Sequence, residues 1–268
     1  MSSPPLSMPM GCKPPTRLDT APSLKLFSAI TERKAPAVLD RSKIIYPTSM
    51  YDNDKYGNCT SSAVANTMNI IATLNGFALQ IDNTDVDAFY AQCTGWNPTI
   101  PGTDNGADPT LVLCKLATQG FTLGHTGKYK YVYYGNFGTV AITDRNAMAN
   151  TIDIMGSLYG AFGMALADSL TAESSETFDI NTPGNQTPWS WGGHLMCIYD
   201  YTGLGDTDTV RLATWGGLRK ATWRWVESRL SAAYGIAFRQ LLTTQGLSHL
   251  GENWATLQSE VSSFVKTI

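Results

Sequence analysis

The pattern of hydrophobic and polar positions changes twice along the chain and divides it into three regions. Up to residue 45 the sequence has little periodicity and holds seven of the thirteen prolines, which predicts an extended arm rather than a domain. From 46 to 240 apolar residues recur first at helical and then at strand spacing, as in a folded domain. The tail, 241–268, contains a predicted amphipathic helix at 253–266. Its apolar face comprises Trp254, Leu257, Val261, Phe264 and Val265.

The first part of the central domain has helical periodicity, and the second part has strand patterns. Helices are predicted at 60–74, 85–93, 110–119 and, from an Asp144 N-cap, 144–155. Strands are predicted at 129–132, 156–166, 194–200, 209–215 and 233–238, and a polar loop at 168–190. Helices followed by antiparallel strands indicate an α+β domain built of two lobes.

Composition and charge exclude several function classes. The chain has 268 residues and a formal net charge of −3, so it lacks the basic surface that nucleic acid requires, and we expect no nucleic-acid partner. Its apolar stretches are too short for a membrane helix, and we expect no membrane association. The N-terminus lacks a basic region followed by an apolar core, so no secretory signal is predicted.

The five cysteines show neither CxxC pairing nor the spacing of metal ligands. Cys12, Cys59, Cys93, Cys114 and Cys197 are an odd number, which argues against a disulfide framework and a zinc site. We expect neither a metal nor a cofactor. Of the five, Cys59 alone follows a polar, glycine-containing turn and precedes a predicted helix. The positive end of the helix dipole favours a thiolate there, and the thiolate is the nucleophilic form.

A histidine far downstream completes a possible catalytic pair. His194 begins an apolar strand in the segment Trp-Gly-Gly-His, 135 residues after Cys59. Cysteine and histidine are separated by roughly 130–150 residues in papain-like enzymes. An amide side chain, Asn53, lies six residues before the cysteine.

These three features resemble a papain-like cysteine peptidase, with the nucleophile heading a helix of one lobe and the histidine on a strand of the other. The resemblance implies that Cys59 is the nucleophile and His194 the general base. It also implies that Asn53 replaces the glutamine whose amide helps to form the oxyanion hole, and that peptides or proteins are the substrates. Trp189, Trp191 and Trp215 would form the walls of the substrate cleft and exclude water.

The sequence departs from the family pattern at the third catalytic position. The family motif Asn-Ser-Trp-Gly reads Ala213-Thr214-Trp215-Gly216 here, and alanine cannot orient an imidazole. Thr214 could do so through its hydroxyl if the strand is shifted, or a backbone carbonyl could serve. The family signature around the nucleophile is also absent.

The motifs Asn-Asp-x-Tyr-Gly-x-Cys, Ser-Trp-Gly-Gly-His and Thr-Trp-x-Trp resemble a papain-like group encoded in bacteriophage and prophage genomes. That resemblance implies a location in the host cytoplasm or the virion. Two other interpretations stay open at this point. The scaffold could be inactive and serve as a structural component of a virus particle, attached to viral structural proteins through residues 1–45. Alternatively, the same cysteine–histidine pair could support an amidase or acyl transferase.

Overall fold

The computed structural model describes residues 8–24, 33–44, 46, 48–76, 78–124, 127–174, 177–241 and 254–267. The helices are α1 (Cys59–Leu74), α2 (Asn83–Thr94), α3 (Pro109–Thr118), α4 (Arg145–Met155), α5 (Asp168–Ser174), α6 (Trp223–Arg229) and α7 (Trp254–Val265). The strands are β1 (Phe121–Leu123), β2 (Tyr131–Tyr133), β3 (Gly135–Thr139), β4 (Leu158–Met164), β5 (Thr177–Phe178), β6 (Gly192–Tyr201), β7 (Thr209–Thr214), β8 (Gly217–Thr222) and β9 (Leu230–Phe238).

The first lobe is helical, and its helix boundaries follow from local capping chemistry. Asp82 and Asp85 form a capping box at the start of α2, which ends at the left-handed Gly95. Asp108 caps α3, whose first residue is Pro109. Helix α1 differs because nearly all of its residues are buried, so it forms the central element of this lobe.

The second lobe is built on a seven-stranded sheet in the order β3-β9-β4-β6-β7-β8-β5. Its strands are antiparallel except for the β5–β8 pair. Strand β6 lies in the middle of the sheet, and helix α1 packs on it. This contact joins the two lobes and brings the start of α1 close to the start of β6.

Two buried cations stabilise the second lobe. Asp168 at the start of α5 pairs with Arg229 at the end of α6, and both side chains are almost fully buried. Arg41 donates from its guanidinium to the carbonyls of Ile152, Gly156 and Tyr199, so it satisfies carbonyls at the C-terminal end of α4.

The α+β class with two lobes is confirmed, and the predicted helices and strands are found with shifts of a few residues at their ends. Asp144 caps α4 as predicted. The loop predicted at 168–190 is wrong in part, because it contains α5 and β5. Strands β1, β3 and β8 and helix α6 were not predicted. The domain limits at 45/46 and 240/241 stay predictions.

The predicted tail helix corresponds to α7. Val261 and Phe264 are buried, and Val265 is partly buried. The side chains of Trp254 and Leu257 lie outside the described residues. No helix in the described part of the chain is long and apolar enough to cross a membrane.

The arm packs against the rest of the chain at several of its described residues. Pro22 accepts a hydrogen bond from the backbone N–H of Thr139 in β3, and Leu39 pairs with Tyr201 of β6. Arg17 donates to the carbonyl of Thr267 just after α7. The chain's own lobes therefore hold the described parts of the arm.

Candidate active site

Cys59 is the first residue of α1, and a tight turn at 51–57 leads into it. Tyr51 and Asp52 have left-handed backbone conformations, with φ of 51° and 56°. Non-glycine residues adopt such conformations at a cost of about 1–3 kcal/mol and cluster at functional sites. The turn ends at Gly57, whose N–H donates to Asp104 at 2.9 Å.

The sulfur of Cys59 is sealed from solvent. The residue is 1% exposed, and burial raises the thiol pKa to about 12. The backbone groups of Leu195, Gly11, Thr60 and Cys59 itself act in the opposite direction and lower the pKa. Leu195 directly follows His194, so Cys59 at the start of α1 lies beside the strand that carries the histidine.

His194 lies near the start of β6 and is fully buried. Its Nε2 is 2.6 Å from the Oγ1 of Thr214 in β7. Its Nδ1 has no hydrogen-bond partner among the described residues. Burial lowers the pKa of the ring to about 3, so the imidazole is neutral near pH 7.

The register of β6 and β7 explains why residue 214 contacts the histidine and residue 213 does not. Ala213 is paired directly with Cys197. Paired residues project to the same face of a sheet and successive residues alternate, so Ala213 shares a face with Cys197. Thr214 and His194 share the other face. The hydroxyl therefore takes the orienting position that the Asn-Ser-Trp-Gly alignment leaves to alanine.

Trp215 covers the imidazole. It stacks on the ring of His194 with centroids 4.1 Å apart and planes 15° apart. Trp215 and Gly216 both have positive φ, 44° and 68°, and they form the two-residue turn between β7 and β8. The second wall residue, Trp191, is 6.0 Å from Trp215 between ring centroids.

Trp189 lies at the same edge of the cleft with φ of 67°. A Cβ at Gly163 or Gly193 would lie 2.5 Å from its indole ring, so these two glycines make room for it. All three tryptophans predicted as cleft walls are therefore grouped around the start of β6.

Asn53 is buried in the turn before α1. Its Nδ2 donates to the carbonyl of Tyr56 at 3.2 Å. The predicted oxyanion donor is thus close in sequence to Cys59, with its amide hydrogen-bonded inside the turn. Among the described contacts, no hydrogen bond joins the Cys59 thiol to the ring of His194.

The N-terminal arm occupies the cleft between the lobes. Cys12 donates its N–H to Gly193 at 3.0 Å, and Lys13 donates to Ala107 at 2.9 Å. The N–H of Ala107 donates to Gly11 at 2.8 Å. Cys12 and Ala107 form a parallel bridge. The arm is therefore hydrogen-bonded to both walls of the cleft, directly beside the thiol.

Glycines on the arm and on the cleft walls allow this close approach. A Cβ on Gly11 would lie 1.9 Å from the carbonyl oxygen of Gly57. A Cβ on Gly106 would lie 2.3 Å from the carbonyl oxygen of Gly11, and one on Gly193 would lie 1.9 Å from that of Cys12. Side chains at these positions would exclude the arm.

A carboxylate fixes the arm farther along. Asp108 accepts from the N–H of Thr110 at 2.8 Å through Oδ1, as the cap of α3. Its Oδ2 accepts from the N–H of Thr16 at 3.1 Å and also from the Thr16 hydroxyl. One oxygen therefore serves the fold, and the other holds the arm.

The seated arm was not predicted. Cys12 carries no motif, and its partners lie about one hundred to two hundred residues away, so no local pattern reports them. The glycines at 57, 106 and 193 are the available signal, since glycine marks places where another backbone comes close. The thiolate–imidazolium pair expected from the sequence is not the ionisation state of this closed site, because burial keeps both groups neutral.

The described residues contain no group of three or more His, Cys, Asp and Glu side chains arranged to hold a metal ion. The groups that the described site offers for chemistry are a thiol, an imidazole, a hydroxyl and backbone N–H groups.

Comparison with known proteins identifies the fold. No known protein-family profile and no curated protein sequence matches the chain. Among solved structures, the cysteine protease xylellain from Xylella fastidiosa matches with a TM-score of 0.62 and 14% identity, over 88% of this chain and 98% of that one. Procathepsin L2 from the larval midgut of Tenebrio molitor gives a TM-score of 0.58 at 14% identity, over 85% and 78%.

Procathepsin B S9 from Trypanosoma congolense gives a TM-score of 0.55 at 11% identity, over 85% of each chain. At these identities the likeness concerns the fold alone. The chain has the two-lobed α+β fold of papain-like cysteine proteases.

Proposed function

We propose that the protein is a cysteine peptidase that hydrolyses amide bonds in peptides or proteins and is held closed by its own arm. The observation that carries the proposal is the hydrogen bond between His194 and Thr214, beneath the stacked Trp215 and beside a cysteine that begins a buried helix. A histidine held by a third group, next to a nucleophile, is the general arrangement of nucleophilic catalysis.

The mechanism follows from these groups once the arm has left. Water enters the cleft, and the pKa values of Cys59 and His194 move back toward their ordinary ranges because burial was the main cause of both shifts. His194 takes the proton of the thiol, and the thiolate attacks the substrate carbonyl. The Cys59 N–H and the amide of Asn53 stabilise the oxyanion, at about 3–4 kcal/mol per donor. His194 then protonates the leaving amine, and water releases the acyl group.

Thr214 is the positioning residue in this scheme. By hydrogen bonding to Nε2 it holds the imidazole with Nδ1 available for the proton of the thiol. Trp215 keeps water away from that hydrogen bond.

The seated arm blocks the site without acting as a substrate. Gly11 lies beside Cys59, and its carbonyl accepts a hydrogen bond from the N–H of Ala107. An acyl transfer needs a carbonyl carbon at the sulfur with its oxygen toward the oxyanion donors. The arm must therefore move before a substrate carbonyl reaches Cys59.

The test uses the full chain with Gly11→Val, because a side chain at residue 11 collides with the Gly57 backbone. Cleavage of fluorescently labelled casein is measured for this variant and for Gly11→Val combined with Cys59→Ala. Alkylation by iodoacetamide at pH 6 is mapped on all five cysteines by mass spectrometry.

The proposal predicts casein cleavage that disappears with Cys59→Ala, and preferential alkylation of Cys59 that His194→Ala abolishes. A folded Gly11→Val protein in which Cys59 reacts no faster than Cys93 would overturn it. Transfer of an acyl group to an added amine without hydrolysis would instead identify an acyl transferase on the same catalytic pair.

The proposal includes a bacteriophage or prophage origin, supported by the motifs of the sequence, with residence in the host cytoplasm or the virion. An inactive scaffold that joins viral structural proteins through residues 1–45 is the alternative. It predicts that Cys59→Ala leaves particle assembly intact while changes in the arm abolish assembly.

A further inference from the structure

Asp108 lies at the edge of the cleft, and one of its two carboxylate oxygens is hydrogen-bonded to the arm. It is 8% exposed with the arm in place. Oδ1 is held by the backbone of α3, whereas the partners of Oδ2 are the N–H and the hydroxyl of Thr16. When the arm leaves, Oδ2 loses its partners while Oδ1 stays fixed, so a carboxylate oxygen faces the open cleft.

A hollow of about 320 Å³ adjoins this carboxylate. Its lining includes Asp108, Asn105, Leu111, Val112 and Thr103, and its one cationic member is Lys13 of the arm. Withdrawal of the arm removes that lysine. The hollow then has an anionic wall, an apolar wall from α3 and no lining cation among the described residues.

A peptide that replaces the arm would therefore place its side chains near a carboxylate and near a hollow with space for a long aliphatic stem. Lysine and arginine combine an apolar stem with a cationic head, which fits this combination. A carboxylate paired with a cation makes a stronger hydrogen bond than one paired with a neutral group. A purely apolar side chain would offer the carboxylate oxygen no hydrogen-bond donor.

The arm itself places a basic residue, Lys13, against the hollow and the neutral Thr16 on the carboxylate. A lysine at the position of Thr16 would bring the cation to the carboxylate itself.

We propose that Asp108 is a specificity-determining residue that selects peptides with a basic side chain in the segment that replaces the arm. The inference rests on the proposed peptidase function. It names the substrate class of that site as peptides containing lysine or arginine.

The experiment measures binding, so that it does not depend on catalysis. The protein is the full chain with Gly11→Val and Cys59→Ala, in which the cleft is open and the nucleophile is removed. The probes are three synthetic copies of residues 8–18 with Lys13→Ala and Arg17→Ala that carry threonine, lysine or norleucine at the position of Thr16. Lysine and norleucine have stems of equal length and differ in charge. Dissociation constants are measured by isothermal titration calorimetry at low and at moderate salt.

We expect the lysine peptide to bind at least about 10-fold more tightly than the norleucine peptide, and Asp108→Asn to reduce that ratio below about 2-fold. Asparagine is also a good N-cap, so the variant keeps α3 intact. The matched control is Asp82→Asn, the corresponding cap of α2, which should leave the ratio unchanged.

Equal binding of the lysine and norleucine peptides, a ratio that survives Asp108→Asn, or no binding of any of the three peptides would overturn the inference. Failure of the proposed function is a separate result, the absence of casein cleavage by the Gly11→Val protein that retains Cys59. A protein that cleaves casein yet binds the two peptides equally would retain the function and lose the specificity.

Discussion

Replacement of Gly11 by valine should expose the nucleophile by expelling the arm. A Cβ at residue 11 would lie 1.9 Å from the carbonyl oxygen of Gly57 and 2.5 Å from its Cα, and both of these atoms belong to backbone. The side chains nearby cannot relieve this collision by changing rotamer. The arm must retreat by at least about 1 Å, which breaks hydrogen bonds that now measure 2.8–3.0 Å.

The magnitude follows from the bonds that are lost. Three backbone hydrogen bonds join residues 11–13 to Ala107 and Gly193. At about 1 kcal/mol each, their loss shifts the ratio of seated to released arm by about 3 kcal/mol, on the order of 100-fold. When opening is fast relative to the reaction, the reaction rate of a protected group follows the open population.

The assay is the rate of Cys59 alkylation by iodoacetamide in the full chain at pH 7.5. We expect a rise on the order of 100-fold over the unsubstituted protein, with Cys93 unchanged as an internal reference. The matched control is Thr20→Val, which adds the same side chain at an exposed position of the arm and should leave the rate of Cys59 unchanged. An unchanged rate in a folded Gly11→Val protein would refute the conclusion that the arm is what seals the thiol.

Three further predictions concern the histidine and the buried ion pair. In the Gly11→Val protein, Thr214→Val should lower kcat/KM for peptide hydrolysis about 10- to 100-fold, because valine lacks the oxygen that holds His194 Nε2. Thr214→Ser keeps that oxygen and should retain most of the activity. Equal activities of the two variants would contradict this role. Burial lowers the pKa of His194 from 6.5 to about 3. Between these two pH values the histidine is protonated in the unfolded chain and neutral in the folded protein. The free energy of unfolding should therefore rise with pH across this window, by up to about 1.4 kcal/mol per pH unit. Urea unfolding between pH 4 and 7 measures this slope, which His194→Gln should flatten. Asp168→Ala should lower the free energy of unfolding by about 3–5 kcal/mol, because it leaves Arg229 buried without its carboxylate; a loss below 1 kcal/mol in urea unfolding would contradict this.

Much of the fold could be predicted from sequence because its helices and long strands carry their own local signals. The periodicity of α1, the cap at Asp144 and the apolar strand after His194 act over a few residues. Segment 168–190 was misread because the short α5 is held by the buried pair of Asp168 with Arg229, a contact between residues 61 apart. A polar segment resembles a loop in the sequence when the residue that pairs with it lies far away along the chain.

The residues of the candidate site also include some with a local sequence signal and some whose position depends on distant contacts. Cys59 and His194 are predicted from motif and order, and their roles stay predictions. A contact between Thr214 and His194 was one of two possibilities, and the strand register favours it. The occupation of the cleft by Cys12 is a long-range contact with no sequence period. The ionisation of the closed site depends on long-range contacts as well. The helix dipole is visible in the sequence, but the burial that outweighs it is not.

Through Arg41, the arm also affects how the chain folds. Its guanidinium bonds to carbonyls 111 to 158 residues later in the chain. The C-terminal end of α4 is therefore completed only by a contact with the beginning of the chain, and non-local contacts of this kind slow folding. A chain that lacks residues 1–45 would lose this guanidinium and leave buried carbonyls without donors. The beginning of the sequence thus contributes to the stability of the lobe that is synthesised last.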